Sequence, residues 1–386
     1  MTKTTLFALV STVFVVIGCG PAVKLPPVQE PLDSDEWERC AGELEEREAI
    51  GLIDDLTLDS KTLLCRGVVL GAQGKTNQAI DLLTEAGVRD PEDHRPHYLS
   101  GRILAEVGRY EEALSAFERS MQRYPKMEVP TERLARKVAQ TDGDDQAMAF
   151  MAKATERGLC PYGCMGLLAK LQHKAGEDEK ARETYGKMIE TDSAEPAAYV
   201  GLASLSNSAS DYLAESEFLT KATGAGHFAS LPDKSKADVH YSHAFSRYNA
   251  RKFKGAAKSI DRAIALNGSV ADWWVLAGWI QLNLENPPIA LTKFDKAAAL
   301  DEKLAAAHTG RGDSMLEMKR NGDAAIAFTR AKKLDPQNTV IILKLAYTKA
   351  LDGQLEEASA LVEEAKSIDA EHLPPELLGK VTGLLQ

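Results

Sequence analysis

The chain has few aromatic side chains (6% of 386 residues) and only 5 cysteines and 4 tryptophans. With so few large rings, close packing has to be made by smaller residues. Positive charge is also in deficit. The formal net charge is −11, and −12 without Lys3 in the leader (45 bases against 57 acids). That balance excludes a general nucleic-acid binder, whose electrostatic footprint is basic. No Gly-rich phosphate loop, Gly-x-Ser-x-Gly elbow, His-Glu-x-x-His or Cys-x-x-Cys pair is present, so the common signs of nucleotide, acyl-transfer and zinc chemistry are missing. Carboxylate pairs such as Asp54-Asp55 and Glu363-Glu364 read as solvated helix faces. The residues call for neither catalysis nor a cofactor. The one long apolar run, Leu6–Gly18, is too short to span a bilayer.

What the chain does have is a period. An alanine returns every 34 residues at Ala79, Ala113, Ala147 and Ala181, and again at Ala256, Ala290, Ala324 and Ala358. Twelve residues before each stands a small residue: Gly67, Gly101, Ala135, Ala169, Ala244, Gly278, Gly312 and Ala346. Four residues after each comes an apolar one: Leu83, Phe117, Met151, Tyr185, Ile260, Phe294, Phe328 and Val362. A fixed period in this range marks a stack of supersecondary units. The small residues let two helices approach, and the bulkier one fills the gap between that pair and the next.

The pattern resembles the tetratricopeptide repeat, a helix–turn–helix unit of this length. Its best copy runs from His94 to Met127, where Gly101, Leu104, Gly108, Tyr110, Ala113, Phe117 and Pro125 fall at the family's positions. The resemblance implies an all-α fold, an α-solenoid wound as a right-handed superhelix with capping helices at both ends. From Ala181 to Ala256 is 75 residues, two periods plus seven. One further unit therefore fits around Pro196–Thr223, with Ala214 as its small residue, and the surplus falls in a surface loop at Gly224–Lys234. About nine units result, starting near residues 60, 94, 128, 162, 195, 237, 271, 305 and 339. The expected organisation is a signal peptide at 1–18, a tether at 19–34, a capping helix and linker at 35–59, the repeats at 60–372 and a C-terminal capping helix at 373–386.

Val16-Ile17-Gly18-Cys19, behind a short apolar run, resembles the bacterial lipobox, in which the cysteine becomes the lipidated first residue. Val16 and Ile17 are variants of that pattern. Gly20 rather than Asp after the cysteine implies the periplasmic face of the outer membrane. Four prolines between Gly20 and Pro31 make an extended spacer.

An exported chain with four further cysteines permits disulfides. Cys40 falls on the capping helix and Cys65 on the first helix of the first repeat. Cys160 and Cys164 lie at the junction of the third and fourth repeats; the run Cys160-Pro161-Tyr162-Gly163-Cys164 resembles the thioredoxin motif but has one residue too many between its thiols. A local structural bridge fits better than a redox centre. The histidine pairs His94/His97 and His240/His243 share helix faces but lack a third ligand, so no metal site is expected.

In the family, the first helix of each pair lines a concave groove, and the residue after its small slot points into it. Along this chain that position is Val68, Arg102, Arg136, Lys170, then Phe245, Trp279, Asp313, Tyr347. His173 and Lys174 extend the basic part. Tyr241, Tyr248 and Val275 join the aromatic part, and Asn249 and Asn283 offer amides to a peptide backbone. The resemblance implies a membrane-anchored, non-enzymatic scaffold for a cell-envelope machine, binding an extended protein segment with acidic and apolar residues. The second reading is a glycan-binding accessory subunit of a polysaccharide or cell-wall enzyme, using the aromatic run.

Overall fold

The computed structural model describes residues 42, 59–125 and 129–386. The leader, Cys19, the tether, Cys40 and most of the N-terminal capping helix lie outside the described residues. Beyond residue 59, nineteen α-helices pair in sequence order into nine hairpins and a final single helix. They are α1 (Ser60–Ala72) with α2 (Thr76–Arg89), α3 (Arg95–Glu106) with α4 (Tyr110–Arg123), α5 (Thr131–Thr141) with α6 (Asp144–Glu156), and α7 (Tyr162–Lys174) with α8 (Asp178–Thr191). Then come α9 (Pro196–Ser208) with α10 (Tyr212–Gly224), α11 (Asp233–Asn249) with α12 (Phe253–Leu266), and α13 (Ala271–Asn283) with α14 (Pro287–Leu300). The last are α15 (Ala305–Glu317) with α16 (Asn321–Leu334), α17 (Thr339–Leu351) with α18 (Leu355–Ile368), and α19 (Pro375–Leu384). No strand occurs among the described residues. The chain divides into two compact units, one ending at Leu171 and one beginning at Gln172, and the boundary falls within α7.

The packing follows from the small residues. All eight repeating alanines are fully buried. A Cβ on Gly278 would sit 2.6 Å from the ring of Phe294, sixteen residues on in the paired helix, and one on Gly101 would stand equally close to Phe117. The large residue thus lies directly over the small residue of its own hairpin. It also reaches the next hairpin: Phe294 presses on Gly310 of α15 as well, and Tyr185 of α8 on Gly201 of α9. The bulky side chain is therefore shared by two hairpins rather than confined to the gap between them. In the first unit α2 packs on α3 in this way; in the second, each hairpin's last helix packs on the first helix of the next.

The turn inside each hairpin is equally regular. All nine hold one residue at positive φ, and in eight the residue after it donates its backbone N–H to the carbonyl five positions back along the chain, at 2.8–2.9 Å. This is the Schellman ending of a helix. Glycine supplies the left-handed residue at Gly74, Gly108, Gly176 and Gly353, but Ser210, Arg251, Glu285 and Lys319 take it with a side chain.

The fifth hairpin departs from the sequence reading. In α10 the slot of the repeating alanine is filled by Glu215, not Ala214. Glu215 is 4% exposed, and the rest of the pattern surrounds it in register: Ala203 twelve before, Leu219 four after and Ala222 seven after, all buried. Ala214 is half-buried, one position off. Glu215 stands 34 residues after Ala181, so the period holds in position although the residue type changes. The surplus segment after α10 is also more than a surface loop. Phe228, in a short 3₁₀ turn at Phe228–Ser230, is buried against Ala203, Leu219 and Val239. At the C-terminus, Val381 of α19 is fully buried on Ile342, Leu343, Ala346 and Val362.

Candidate protein-binding face

In the second unit the residues after the small slots sit on a floor built by the core. Trp279 meets the buried Phe294 edge-to-face, with ring centroids 5.1 Å apart. Gly278 and Gly310, which make room for Phe294, thereby fix where the indole lies. The indole is half-buried. Lys344 of α17 stands over it with Nζ 5.5 Å from the ring centre, and the same ammonium pairs with Asp313 at 2.6 Å. Burial holds the Asp313 carboxyl above its usual pKa, against the pull of Lys344. Cation, indole and carboxylate thus form one contiguous group from three successive repeats.

Around this group Phe245 is 37% exposed and Tyr347 is half-buried. Tyr241 stacks flat on Trp273 at 5.4 Å, and Tyr248 meets Phe253 edge-on at 5.8 Å. Asn249 and Asn283 take the same pose one repeat apart. Each donates its amide to the carbonyl four residues back, Asn249 to Phe245 at 3.1 Å and Asn283 to Trp279 at 2.9 Å. Each keeps its carbonyl oxygen for another donor. Val275 does not belong to the open face: it is buried with Phe294 and Ala290 in the core. Its position one turn before Trp279 placed it on the face, but the neighbouring hairpin covers that turn. His173 is committed within the fold, with Nδ1 2.7 Å from Asp178 and Nε2 3.2 Å from Ser208.

In the first unit the corresponding positions are basic. Arg102 lies over the Tyr98 ring at 5.8 Å, Arg136 holds Glu132 at 2.7 Å and Lys170 is exposed. Arg133 and Lys137, absent from the sequence reading, line a cavity of about 520 Å³ with Arg136, Glu132 and Gln140. Lys137 also pairs with Glu106 one repeat earlier. The sequence signal for both was the basic run of α5, which a strict 34-residue reading skips. Val68 is fully buried and takes no part in the face. Lys344 lies two residues before the small slot Ala346 rather than one after, a position that the periodic reading does not mark.

Cys160 and Cys164 are bonded to each other at the start of α7. Cys65 is disulfide-bonded too; Cys40 lies outside the described residues. The histidine pairs are absorbed by packing. His94 lies edge-on to Tyr124 and His97 meets the α2 backbone near Gly87, while His243 is 3.2 Å from the Thr220 hydroxyl. Among the described residues, no three His, Cys, Asp or Glu side chains gather as a metal site, and no helix is long and apolar enough to cross a membrane.

The tetratricopeptide-repeat family model matches residues 66–128, 241–305 and 277–339. These segments are tetratricopeptide repeats. Such repeats are protein-interaction scaffolds and are generally non-enzymatic. No curated protein matches the chain. Among solved structures, YrrB, described as a TPR protein with an unusual peptide-binding site, is 21% identical over 52% of this chain and 99% of its own, with a TM-score of 0.41. PilF of Pseudomonas aeruginosa is 15% identical over 57% of this chain and 96% of its own, with a TM-score of 0.45. The Cut9–Hcn1 hetero-tetramer of the APC/C is 12% identical over 84% and 63%, also at 0.45.

Proposed function

We propose that the chain is a membrane-anchored, non-enzymatic scaffold of the cell envelope that captures an extended segment of a partner protein. The observation that carries the reading is Trp279, a half-buried indole placed between Phe294 below and Lys344 above. A large aromatic fixed in advance loses little entropy on binding, and such residues dominate recognition. The Asn249 and Asn283 carbonyls, one repeat apart, suit the backbone N–H groups of an extended segment. On the first unit, the basic groups Arg102, Arg133, Arg136 and Lys170 suit carboxylates of a partner. The anchor rests on Val16–Cys19. The bonded cysteines support export, because disulfides persist in oxidising compartments.

The test is capture from solubilised membranes by the full chain, read by mass spectrometry. Truncating a true anchor costs about 2 kcal/mol or more. Trp279→Ala is therefore expected to weaken capture roughly thirty-fold or more while leaving the helical circular-dichroism signal intact. Equal capture by wild type and variant would remove the aromatic face from the reading.

A further inference from the structure

The negative charge of the chain is not spread evenly. Residues 30–55 carry eleven acids and two bases, so nine of the eleven net negative charges fall in that stretch. Its densest part, Glu30-Pro31-Leu32-Asp33-Ser34-Asp35-Glu36-Trp37-Glu38, has five acids, no base and two large apolar side chains. It precedes the repeats, which begin near residue 60.

Within the first unit, charge is sorted by helix. α3, α5 and the part of α7 up to Leu171 carry six bases against two acids, whereas α4 and α6 carry three bases against six acids. The α5 cleft of about 520 Å³ shows how the positive charge is held: Arg133, Arg136 and Lys137 share it with a single carboxylate, Glu132. Glu132 is taken by Arg136 at 2.7 Å and lies against Gly163 of α7, and Lys137 is taken by Glu106 of α3. Both acids of these helices are thereby used. Among the described residues Arg102, Arg133 and Lys170 make no ion pair.

The acidic stretch can reach this face. α1 touches α3, and the Lys137–Glu106 pair ties α3 to α5. Packed helices stand about 8–10 Å apart, which puts α5 roughly 20 Å from α1. Glu38 precedes Ser60 by 22 residues, a length that spans up to about 70 Å. If Cys65 is bonded to Cys40, the cysteine left once Cys19 carries lipid, the ten residues from Cys40 back to Glu30 still span about 33 Å. A guanidinium fork and a carboxylate make a geometrically matched pair. A segment tied to the face it covers also needs only weak contacts to occupy it.

We propose that Glu30–Glu38 of the same chain docks on the basic face of α3, α5 and α7, as a built-in substitute for the acidic, apolar segment of a partner. The inference rests on the partner-binding reading of that face and names its regulation: a partner has to displace the segment. Zero-length carbodiimide cross-linking of the full chain, which joins carboxylates to lysine amines in contact, is expected to link residues 30–38 to Lys137 or Lys170, and to do so less at high salt. In a mixture of isotope-labelled and unlabelled chains the links are expected within one copy. A fluorescent peptide of residues 30–38, followed by anisotropy, is expected to bind at least tenfold tighter once the chain's own segment is neutralised by Glu30→Gln, Asp33→Asn, Asp35→Asn, Glu36→Gln and Glu38→Gln. Adding Arg133→Gln and Arg136→Gln, both on exposed side chains, is expected to remove that gain. Absence of links to Lys137 and Lys170, links only between copies, or equal peptide affinity in wild type and the neutralised chain would each overturn the proposal. None of these readouts uses a partner, and Trp279→Ala is expected to leave them unchanged, so failure of partner capture is read separately.

Discussion

Two buried titratable residues of the second unit respond to pH with opposite sign. Burial raises the pKa of Glu215, while its hydrogen bond from Asn207 at 3.0 Å opposes the shift. A folded state that holds the proton more tightly than the unfolded chain loses stability as pH rises from the unfolded value, about 4.3, through the folded one. His243 works the other way. Its folded pKa is about 3 against 6.5 for the free group, so its contribution is complete above 6.5 and is lost as pH falls towards 3. In urea melts, Glu215→Gln should therefore gain stability at pH 7 relative to wild type and little at pH 4. His243→Gln should flatten the acid limb instead. A Glu215→Gln profile parallel to wild type would show that the carboxyl is solvated. Packing predicts a second contrast. Gly310→Ala drives a Cβ into Phe294, whereas Gly322, helical and open, has nothing within 4 Å. The first change should cost about 1–3 kcal/mol by overpacking, and the second should stabilise by about 0.4–1 kcal/mol through the unfolded chain, both read as shifts in the denaturation midpoint.

The elements are set by their turns as much as by their helices. Lys319 occupies a left-handed position, at φ 60°, that Gly353 fills in the next hairpin at φ 76°. An L-residue there costs about 1–2 kcal/mol, and glycine's extra chain entropy returns about 0.5–1. Lys319→Gly is thus expected to raise stability by about 0.5–1 kcal/mol, and Gly353→Lys to lower it by a similar amount. Hydrogen exchange should place both effects first in the hairpin that carries the change, because each repeat touches only its neighbours. Most of this level was legible from the sequence. Gly108 and the 34-residue spacing located the turns, and the alanines located the helix contacts. The fifth hairpin was legible only in part. A buried glutamate at an alanine slot breaks the pattern in composition but not in register, and Ala203, Leu219 and Ala222 show the register only once the helices are seen paired.

For the whole molecule, the leader carries the prediction. If Cys19 is the lipid-bearing residue, Cys19→Ser should release the protein from membranes or leave it unprocessed, as read by fractionation and mass spectrometry. A processed, membrane-bound Cys19→Ser protein would exclude that anchor. Part of the candidate face was also visible in advance. Phe245, Trp279, Asp313 and Tyr347 follow from one position in a periodic unit, and the structure leaves Phe245 open and Trp279 half-buried. Val275 and Val68 follow from the same bookkeeping and are buried, because the covering of a helix turn depends on the neighbouring hairpin.

By itself the sequence determined the repeat length, the helical class and the small residues at the helix contacts, since each depends on neighbours at fixed separations along the chain. Only the tertiary structure decided which exposed positions act together. Lys344 joins Trp279 and Asp313 from a position that the period does not mark. Such groups depend on side-chain reach between packed helices, and that distance exists only once the hairpins are stacked.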